Sequence, residues 1–311
     1  MWSERGWCHG SFEQQLKGKH VTDSKGSWIE QFERFAARKT RLATTVALPP
    51  YVTELDDPAD DAVAVGNPWS KRLFDGPFYL SPAASARRPA CSLVFVQSAD
   101  GNTRTPDPGV LGGGNIDKHL IYEGLSRVAA DAVLAGAGTV RRSELVFSVW
   151  HPELVDLRIS LGCSRHPIQI VATFNGLELD DTLLFNLPEI SVLLLTVPSA
   201  AEKMHQAITV RPWITVLMMH RPADLPQAFE RLRSMGIARV SCIGGRTLAG
   251  HLLEARLIDD VYLTTGVNPG GEPDTPLSSA PWRGRTVVRK RGTGVERGVI
   301  FEHVLPSVGG D

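Results

Sequence analysis

The segment "SCIGGRTLAGHLLEARLIDDVYL", residues 241–263, places two adjacent glycines between a short apolar run and an amphipathic stretch, and a second apolar run follows. This order predicts a buried strand, a turn, a helix and a further buried strand. Gly244 and Gly245 lack a Cβ, so they tolerate positive φ and also allow a phosphate to approach main-chain N–H groups. Taken alone, the segment leaves both roles open.

From residue 88 onward, short apolar runs alternate with helical segments. Such near-continuous runs are typical of a parallel or mostly parallel sheet that is covered by helices on both faces. Helices are predicted over 116–129 and after Asp224, an N-cap with Gln227 three residues later and Gly236 as the C′ residue. The terminal stretch 285–304 has two β-rich runs around a Gly-Thr-Gly turn, which predicts an antiparallel hairpin. The predicted strands are 91–97, 131–136, 167–173, 191–197, 214–219, 239–244 and 259–265.

Composition excludes several classes of protein. The chain has 311 residues, 42% hydrophobic residues and a formal net charge of −1, so no global attraction to nucleic acid or to an anionic membrane is expected. There is no run of about 18 apolar residues and no secretory signal pattern, which predicts a cytoplasmic protein that does not enter a membrane. The four cysteines are too far apart for a zinc site or a disulfide framework, and no metal is expected.

The first part of the chain differs in composition from the rest. Residues 1–88 are polar, carry four tryptophans and include the acidic stretch 56–61, so we interpret them as an amino-terminal extension. Apolar residues at helical spacing in 27–43 predict one helix, and the remainder is expected to be a strap on the main domain or partly disordered. Residues 89–305 are predicted to form the main domain, and 306–311 a short tail. The tryptophans are Trp2, Trp7, Trp28 and Trp69, and the apolar helix positions are Ile29, Phe32, Phe35 and Ala36.

Three motifs follow predicted strands. The stretch 95–103, "FVQSADGNT", ends a strand in an Asp-Gly pair, and 131–140, "DAVLAGAGTV", ends one in a glycine loop like that of 244–247. Ligands of open α/β sheets bind beyond the carboxyl ends of the strands, and two such glycine loops would suit a dinucleotide. Neither loop has the full dinucleotide or phosphate-loop fingerprint, so each could also be a plain turn.

Taken in order, "QSADG", a Gly-rich stretch with a helix, "DAVLAGAGTV" and "GGRTLAGHLLEARLIDDVYL" resemble the pyrimidine reductase family of riboflavin biosynthesis, over about residues 88–305. The family is the reductase half of a bifunctional deaminase-reductase and is related in fold to dihydrofolate reductase. The resemblance implies an α/β fold: a dihydrofolate reductase-like mixed, mostly parallel sheet flanked by helices, with the carboxyl-terminal hairpin at the edge. It also implies NADPH as cofactor and a homodimer. The deaminase signature is missing from this sequence.

The cofactor side of the family pattern carries over well. The resemblance implies that Thr139 lies near the NADPH phosphates and that Asn115 contacts the cofactor. The remaining implied cofactor residues are Gly136, Ala137, Gly138, Gly244, Gly245, Arg246, Thr247 and Leu248.

The substrate side departs from the pattern. Arg127 matches an arginine for the substrate phosphate, and Ser98 and Asp100 match the strand-end motif, where Asp100 would orient substrate or relay a proton. However, Asn102 replaces a lysine, Ile243 replaces a glutamate, and "RRSELVF" replaces an acidic segment after Thr139. A charged hydrogen bond is worth about 1.5–3 kcal/mol, so each loss should cost roughly tenfold to a hundredfold with the family substrate.

The leading hypothesis is an NADPH-dependent reductase of a small heterocyclic or sugar-derived C=N or C=O compound, different from the riboflavin intermediate. A second hypothesis is a cofactor-binding protein with altered catalysis whose extension binds a partner. A third is the family reaction itself, with compensating contacts from Arg141, Arg142 or Arg158.

Overall fold

The computed structural model describes residues 27–83, 87–105, 107–140, 145–278 and 282–307. Strands and helices alternate through most of it. The strands are β1 (Tyr51–Asp56), β2 (Val63–Val65), β3 (Phe78–Leu80), β4 (Ala90–Gln97), β5 (Ala132–Gly136), β6 (Ile168–Thr173), β7 (Val192–Thr196), β8 (Ile214–Met218), β9 (Arg239–Cys242), β10 (Asp260–Thr265), β11 (Gly284–Gly292) and β12 (Ile300–Pro306). The α-helices are α1 (Trp28–Thr45), α2 (Pro68–Phe74), α3 (Gly114–Ile116), α4 (Ala137–Val140), α5 (Pro152–Ser160), α6 (Pro198–Thr209), α7 (Leu225–Ser234) and α8 (Arg246–Glu254), and a π-helix (Asp117–Leu125) continues α3.

In the described ranges, ten strands form one sheet in the order β1-β11-β12-β10-β4-β9-β5-β6-β7-β8. The seven strands from β10 to β8 in this order are all parallel, which confirms the predicted parallel sheet. β12 pairs antiparallel with β10, and β11 with β12, which confirms the predicted hairpin. β1 then pairs antiparallel with the outer side of β11. The extension therefore supplies the last strand on that side of the sheet.

Both faces of the sheet are buried because apolar side chains alternate between two cores. On one face, Leu93 and Leu134 pack with α7 and α8. On the opposite face, Val133 packs with α1, while Val94 packs with the π-helix and aromatic residues of the extension. This two-sided burial is the physical reason for the near-continuous apolar runs of the sequence.

The extension is built into the fold. α1 begins with a capping box in which Ser27 and Glu30 bond reciprocally, and Phe35 is buried as expected, whereas Ile29 is 53% exposed. The structure adds β1, β2, α2 and β3 to the single predicted helix. Trp2 and Trp7 lie outside the described residues. The extension covers one face of the sheet and extends its edge.

The acidic and basic stretches of the sequence pair with each other. Arg285 of β11 forms an ion pair with Asp57 at 2.7 Å, and Arg291 pairs with Glu54 of β1. Lys290 is buried and donates to the Thr53 hydroxyl and the Asp75 carbonyl. Three basic residues of β11 therefore bond to the extension.

Two helices differ from their predicted form. The helix predicted over 116–129 is α3 followed by the π-helix, which ends at Leu125 with Gly124 at φ −133° and ψ −109°. A Cβ on Gly124 would lie 2.6 Å from Leu154 Cδ1, so close packing against α5 requires glycine there. α7 begins after Asp224 as predicted, and Gly236 has φ +90°. The Asp224 carboxylate, however, accepts from the His220 and Arg221 N–H groups and does not cap α7. No described helix is both long and apolar enough to cross a bilayer.

Candidate active site

The two predicted glycine loops meet at one edge of the sheet, because β5 and β9 are neighbours and parallel. The Gly136 N–H donates to the Gly244 carbonyl at 3.1 Å. Gly244 and Gly245 have φ of +125° and +95°, and a Cβ on Gly245 would lie 3.4 Å from the Gly136 Cα. The glycines therefore turn the chain with positive φ and leave bare backbone where the two loops touch, and the approach of a phosphate to them stays a prediction.

We call residues 136–139 and 244–247 together the glycine cradle. α4 begins at Ala137 and α8 at Arg246, so two helix starts lie side by side there. No side chain of the described residues caps α8, whose N-cap is Gly245. Thr139 is half-buried, Gly138 and Thr247 are exposed, and Leu248 is buried beneath them. Free N–H groups at helix starts favour phosphate, so the cradle fits the pyrophosphate of a dinucleotide.

Arg246 connects the cradle to the loop 266–276, which follows β10. Its Nε donates to the Pro276 carbonyl at 2.5 Å. In the same loop, the Gly270 N–H donates to the Asp100 carboxylate, and the Asn268 carbonyl accepts from the Ala99 N–H. The loop after β10 therefore bonds both to the strand-end motif after β4 and to the cradle.

The strand-end motif after β4 is a closed turn. Ser98 is fully buried; its Oγ donates to Asp100 Oδ1 at 2.5 Å and accepts from the Asn102 N–H at 3.1 Å. The Asn102 side chain is 9% exposed and accepts from the Thr275 N–H at 3.1 Å. Asn102, predicted as a substrate contact, is therefore a loop anchor in this structure.

Asp100 is exposed at this edge, as predicted. The hydrogen bond from Ser98, followed by that from the Gly270 N–H, lowers the pKa of its carboxyl. Asp100 is therefore a carboxylate at neutral pH. It can accept a hydrogen bond and orient a ligand, but it is poorly suited to deliver a proton.

Ile243 lies next to the cradle but faces the core. It is 5% exposed and belongs to the same apolar cluster as Val140 and Phe147. Its N–H donates to the Leu134 carbonyl at 3.0 Å. The position where the family has a carboxylate therefore contributes packing and no polar group.

Arg127, predicted to bind a substrate anion, is not brought to this edge. It follows the π-helix, close to the amino end of β5, and is 1% exposed. Its Nη1 donates to the Ser148 carbonyl at 3.0 Å, and the guanidinium lies over the Tyr122 ring at 4.5 Å. The match of Arg127 to the family's arginine stays a prediction; in this structure the side chain is buried in the core.

Arg158, considered as a compensating contact, is also committed elsewhere. It is fully buried, and it donates from Nη1 to the Arg127 and Ala130 carbonyls at 2.7 Å each and from Nε to the Ser164 carbonyl at 2.6 Å. Arg141 and Arg142 lie outside the described residues.

Asn115, predicted to contact the cofactor, is exposed at the start of α3, and its N–H donates to Glu296 at 2.7 Å.

Burial keeps the Cys242 thiol neutral, whereas neighbouring groups keep Glu123 ionised. Burial raises the pKa of the Cys242 thiol to about 12, so this side chain acts as a small apolar group. Burial would also raise the pKa of Glu123, but His119, at 3.6 Å, and the charges of Lys39 and Arg127 outweigh it and lower the pKa to about 2. Glu123 thus ties the extension helix, through Lys39, to the π-helix.

Sequence reasoning missed Asp117, in the first turn of the π-helix. The residue is 8% exposed. Burial, and to a smaller extent nearby Glu296, raise the pKa of its carboxyl to about 7 against the opposing effect of Thr264. A polar residue in a helical pattern is ordinarily assigned to the solvent side, so the only available signal was its position directly after the Gly-rich stretch. Buried groups that titrate near neutral pH are concentrated at functional sites.

Asp117 also gives a testable dependence of stability on pH. The pKa is raised in the folded state, so the folded protein resists ionisation and its stability falls as pH rises from about 4 through about 7. We expect Asp117→Asn to match the wild type in free energy of unfolding near pH 4 and to exceed it at pH 8, on the order of 2–4 kcal/mol. Urea unfolding of both proteins at the two pH values measures this, and an equal difference at both would contradict it.

A family model, described as the RibD C-terminal domain, matches residues 89–270. Among solved structures, the chain is similar to a pyrimidine reductase-like protein of Corynebacterium diphtheriae, with 19% identity, a TM-score of 0.58, and coverage of 77% of this chain and 99% of that one. It is also similar to Acinetobacter baumannii RibD, with 19% identity, a TM-score of 0.57, and coverage of 76% and 62%. No curated protein sequence is significantly similar to this chain.

A third similar structure is a diaminohydroxyphosphoribosylaminopyrimidine deaminase/5-amino-6-(5-phosphoribosylamino)uracil reductase of Thermotoga maritima, with 16% identity, a TM-score of 0.53, and coverage of 71% of this chain and 57% of that one. The chain thus spans less than two thirds of this protein and of the Acinetobacter protein. These structural similarities support the dihydrofolate reductase-like α/β fold that the resemblance implied. Because the family model covers more than half of the chain, the protein belongs to the RibD C-terminal domain family, the riboflavin-biosynthesis pyrimidine reductases.

Proposed function

We propose that this protein is an NADPH-dependent reductase that transfers hydride to a small ribosylamino-pyrimidine-like or other heterocyclic C=N or C=O substrate, different from the riboflavin intermediate. The observation that carries the proposal is the glycine cradle. Two loops from adjacent parallel strands touch at the carboxyl edge of the sheet, and α4 and α8 begin there side by side. In α/β sheets this is where dinucleotide phosphates bind.

Residues of the cradle would hold the cofactor through its pyrophosphate. Gly136 and Gly245 keep the two backbones in contact, and Thr139 and Thr247 provide hydroxyls on either side. When bound, the nicotinamide supplies the hydride. The chain's part is to fix that ring against the substrate, exclude water and provide the proton. Arg246 holds the 266–276 loop against the cradle, and Asp100 at the neighbouring strand end would orient the substrate.

The substrate side supports a compound other than the family intermediate. Asn102 is used to anchor the 266–276 loop, and Ile243 is part of the core. Neither position offers the charged group that the family places there. The cofactor positions match the family pattern and the substrate positions do not, which favours a substrate other than that of the family.

Titration of the purified protein with NADPH, followed by nicotinamide fluorescence, tests the cofactor. We expect saturable binding well below millimolar NADPH, and the absence of binding at near-millimolar NADPH would refute the proposal. NADPH oxidation is then measured with a panel of heterocyclic imines and carbonyl compounds, and with 5-amino-6-(5-phosphoribosylamino)uracil as the reference. The proposed substrate should be turned over at least tenfold more efficiently, in kcat/KM, than the reference.

A second candidate is a cofactor-binding protein whose catalysis is altered and whose extension serves a partner. The observation that favours it is that Asn102 and Ile243 both have structural roles here. Tight NADPH binding without NADPH oxidation in the presence of any compound of the panel would support this function.

The third candidate, the family reaction itself, would be supported if the reference compound were the best substrate. Buried Arg158 cannot then be the compensating contact. We also propose a homodimer, which light scattering of the purified protein tests.

A further inference from the structure

The carboxyl of Asp117 lies at the carboxyl ends of two central strands. A Cβ on Gly113 would lie 3.1 Å from Asp117 Oδ2 and 2.9 Å from Val96 Cγ2, which places the carboxyl beside the last turn of chain before the π-helix and above the end of β4. Val96 pairs with Thr264 of β10. Glycine at position 113 lets the chain pass close against the carboxyl and Val96, where a Cβ would not fit.

Asp117 lies on the same face of the sheet as Ile243. Val94 and Tyr262 pack under the π-helix, so by strand alternation Val96 and Thr264 point to that face as well. Ile243 directly follows β9, the strand next to β4. It packs on the same face of the sheet, in the cluster that contains α1 residues. Adjacent strands are about 4.8 Å apart, so the strand that carries Thr264 and the strand that leads to Ile243 are about 10 Å apart. A carboxyl is therefore present on this face, two strands away from the position where the family pattern has one.

The groups around Asp117 raise the pKa of its carboxyl to about 7, so a large fraction of it is protonated at neutral pH. The facing carboxyl is Glu296, whose oxygens accept from the N–H groups of Asn115 and Ile116. Tyr51, on β1, and Tyr122, on the π-helix, have raised pKa values, in both cases mainly from burial, and their hydroxyls stay neutral. Thr264 faces Asp117 from β10 and opposes the rise of its pKa, and His119 lowers the pKa of Glu296. Burial and the neighbouring Glu296 therefore favour the protonated form of Asp117.

We propose that Asp117 is the acid that protonates the substrate in the reduction, an inference that rests on the proposed function. As the carbon of the C=N or C=O bond receives hydride, the π electrons move to the nitrogen or oxygen, which takes the proton of the Asp117 carboxyl. Asp117 is left as a carboxylate and regains a proton from water after product leaves. One new C–H bond and one new N–H or O–H bond form, and the nicotinamide is oxidised.

Two carboxyls at this edge of the sheet differ in pKa and are therefore suited to different roles in the reaction. Asp100, ionised and exposed, accepts hydrogen bonds, and Asp117, neutral and buried, donates. Environments that separate the pKa values of two acids are a general way of assigning such roles. A buried carboxyl that lowers stability above pH 7 has no evident structural benefit, which also favours a functional one.

The first test does not need turnover. Protein labelled with ¹³C at aspartate carboxyls is titrated from pH 6 to 9 by NMR, and the resonance lost in Asp117→Asn is assigned to Asp117. We expect its midpoint to rise by at least half a pH unit when NADPH is bound, because the nicotinamide excludes water from the carboxyl. Adenosine 2′,5′-bisphosphate, which lacks nicotinamide, should leave the midpoint unchanged. A midpoint that does not move with bound NADPH, or that moves equally with the bisphosphate, overturns the inference.

The second test compares Asp117→Asn with Asp57→Asn, an exposed aspartate of the hairpin side. With the best substrate of the panel, Asp117→Asn should lower kcat at least a hundredfold, leave NADPH affinity within threefold, and remove the loss of rate on raising pH through about 7. Asp57→Asn should match the wild type. A kcat within threefold and an unchanged pH profile would overturn the inference while the proposed function stands. Failure of the wild type to bind NADPH would refute both.

Discussion

Replacement of Arg158 by methionine is expected to lower the free energy of unfolding by about 3–5 kcal/mol. The guanidinium is fully buried and donates to four main-chain carbonyls, those of Arg127, Val128, Ala130 and Ser164. Methionine fills a similar volume but donates nothing, and each buried carbonyl left unpaired costs about 1–3 kcal/mol. The relief from removing a buried charge offsets only part of this loss.

Urea unfolding at neutral pH measures the effect, with Arg231→Met as the matched control. Arg231 is an exposed residue of α7 that donates to the Met218 carbonyl, and its replacement should change stability by less than about 0.5 kcal/mol. NADPH affinity should be unchanged in both, since neither side chain lies at the cradle. Equal stability of the two variants would show that Arg158 does not organise the segment before β5.

Gly245→Ala is expected to weaken NADPH binding between tenfold and a hundredfold. The residue has φ +95°, and an added Cβ would lie 3.4 Å from the Gly136 Cα, inside the cradle. The methyl group therefore occupies space between the two loops and turns N–H groups away from the phosphates. The expected loss corresponds to about 1.4–2.8 kcal/mol of binding free energy.

Gly162→Ala separates this effect from backbone strain. Gly162 has φ +77° with open space around its Cα, so the alanine there meets the same conformational penalty without touching the cradle. Both variants should lose about 1–2 kcal/mol of stability, whereas only Gly245→Ala should lose affinity in the NADPH fluorescence titration. Equal affinities in the two variants would place the phosphates elsewhere on the protein.

Much of the fold could be predicted because the information was local. Each parallel strand is a short apolar run, and each of the two glycine loops directly follows one, so their meeting at one edge required only that β5 and β9 be neighbours. The Asp-Gly turn after β4 was predicted for the same reason. The resemblance added the identity of the family, and the comparisons confirmed it.

Features that depend on distant partners could not be predicted. The stretch Tyr51–Asp56 becomes a strand because β11 offers it an open edge, and the sequence around it carries no such signal. The predicted α-helix is a π-helix for most of its length; Asp117, its first residue, and Arg127, which follows it, are both buried against distant parts of the chain. Asn102 was assigned to the substrate side because it stands where the family has a lysine, and its bond to Thr275, 173 positions away, could not be read from the sequence.

The pairing of β1 with β11 has a consequence for how the chain folds. Lys290 of β11 bonds to Thr53 of β1 across a separation of 237 positions, and both strands lie outside the segment 89–270 that the family model matches. Closing so long a loop is slow, because the chain loses conformational entropy before any stabilising contact has formed. During synthesis, therefore, β1 cannot pair until β11 has left the ribosome. The first strand of the ten-stranded sheet to be made is thus among the last to find its partner.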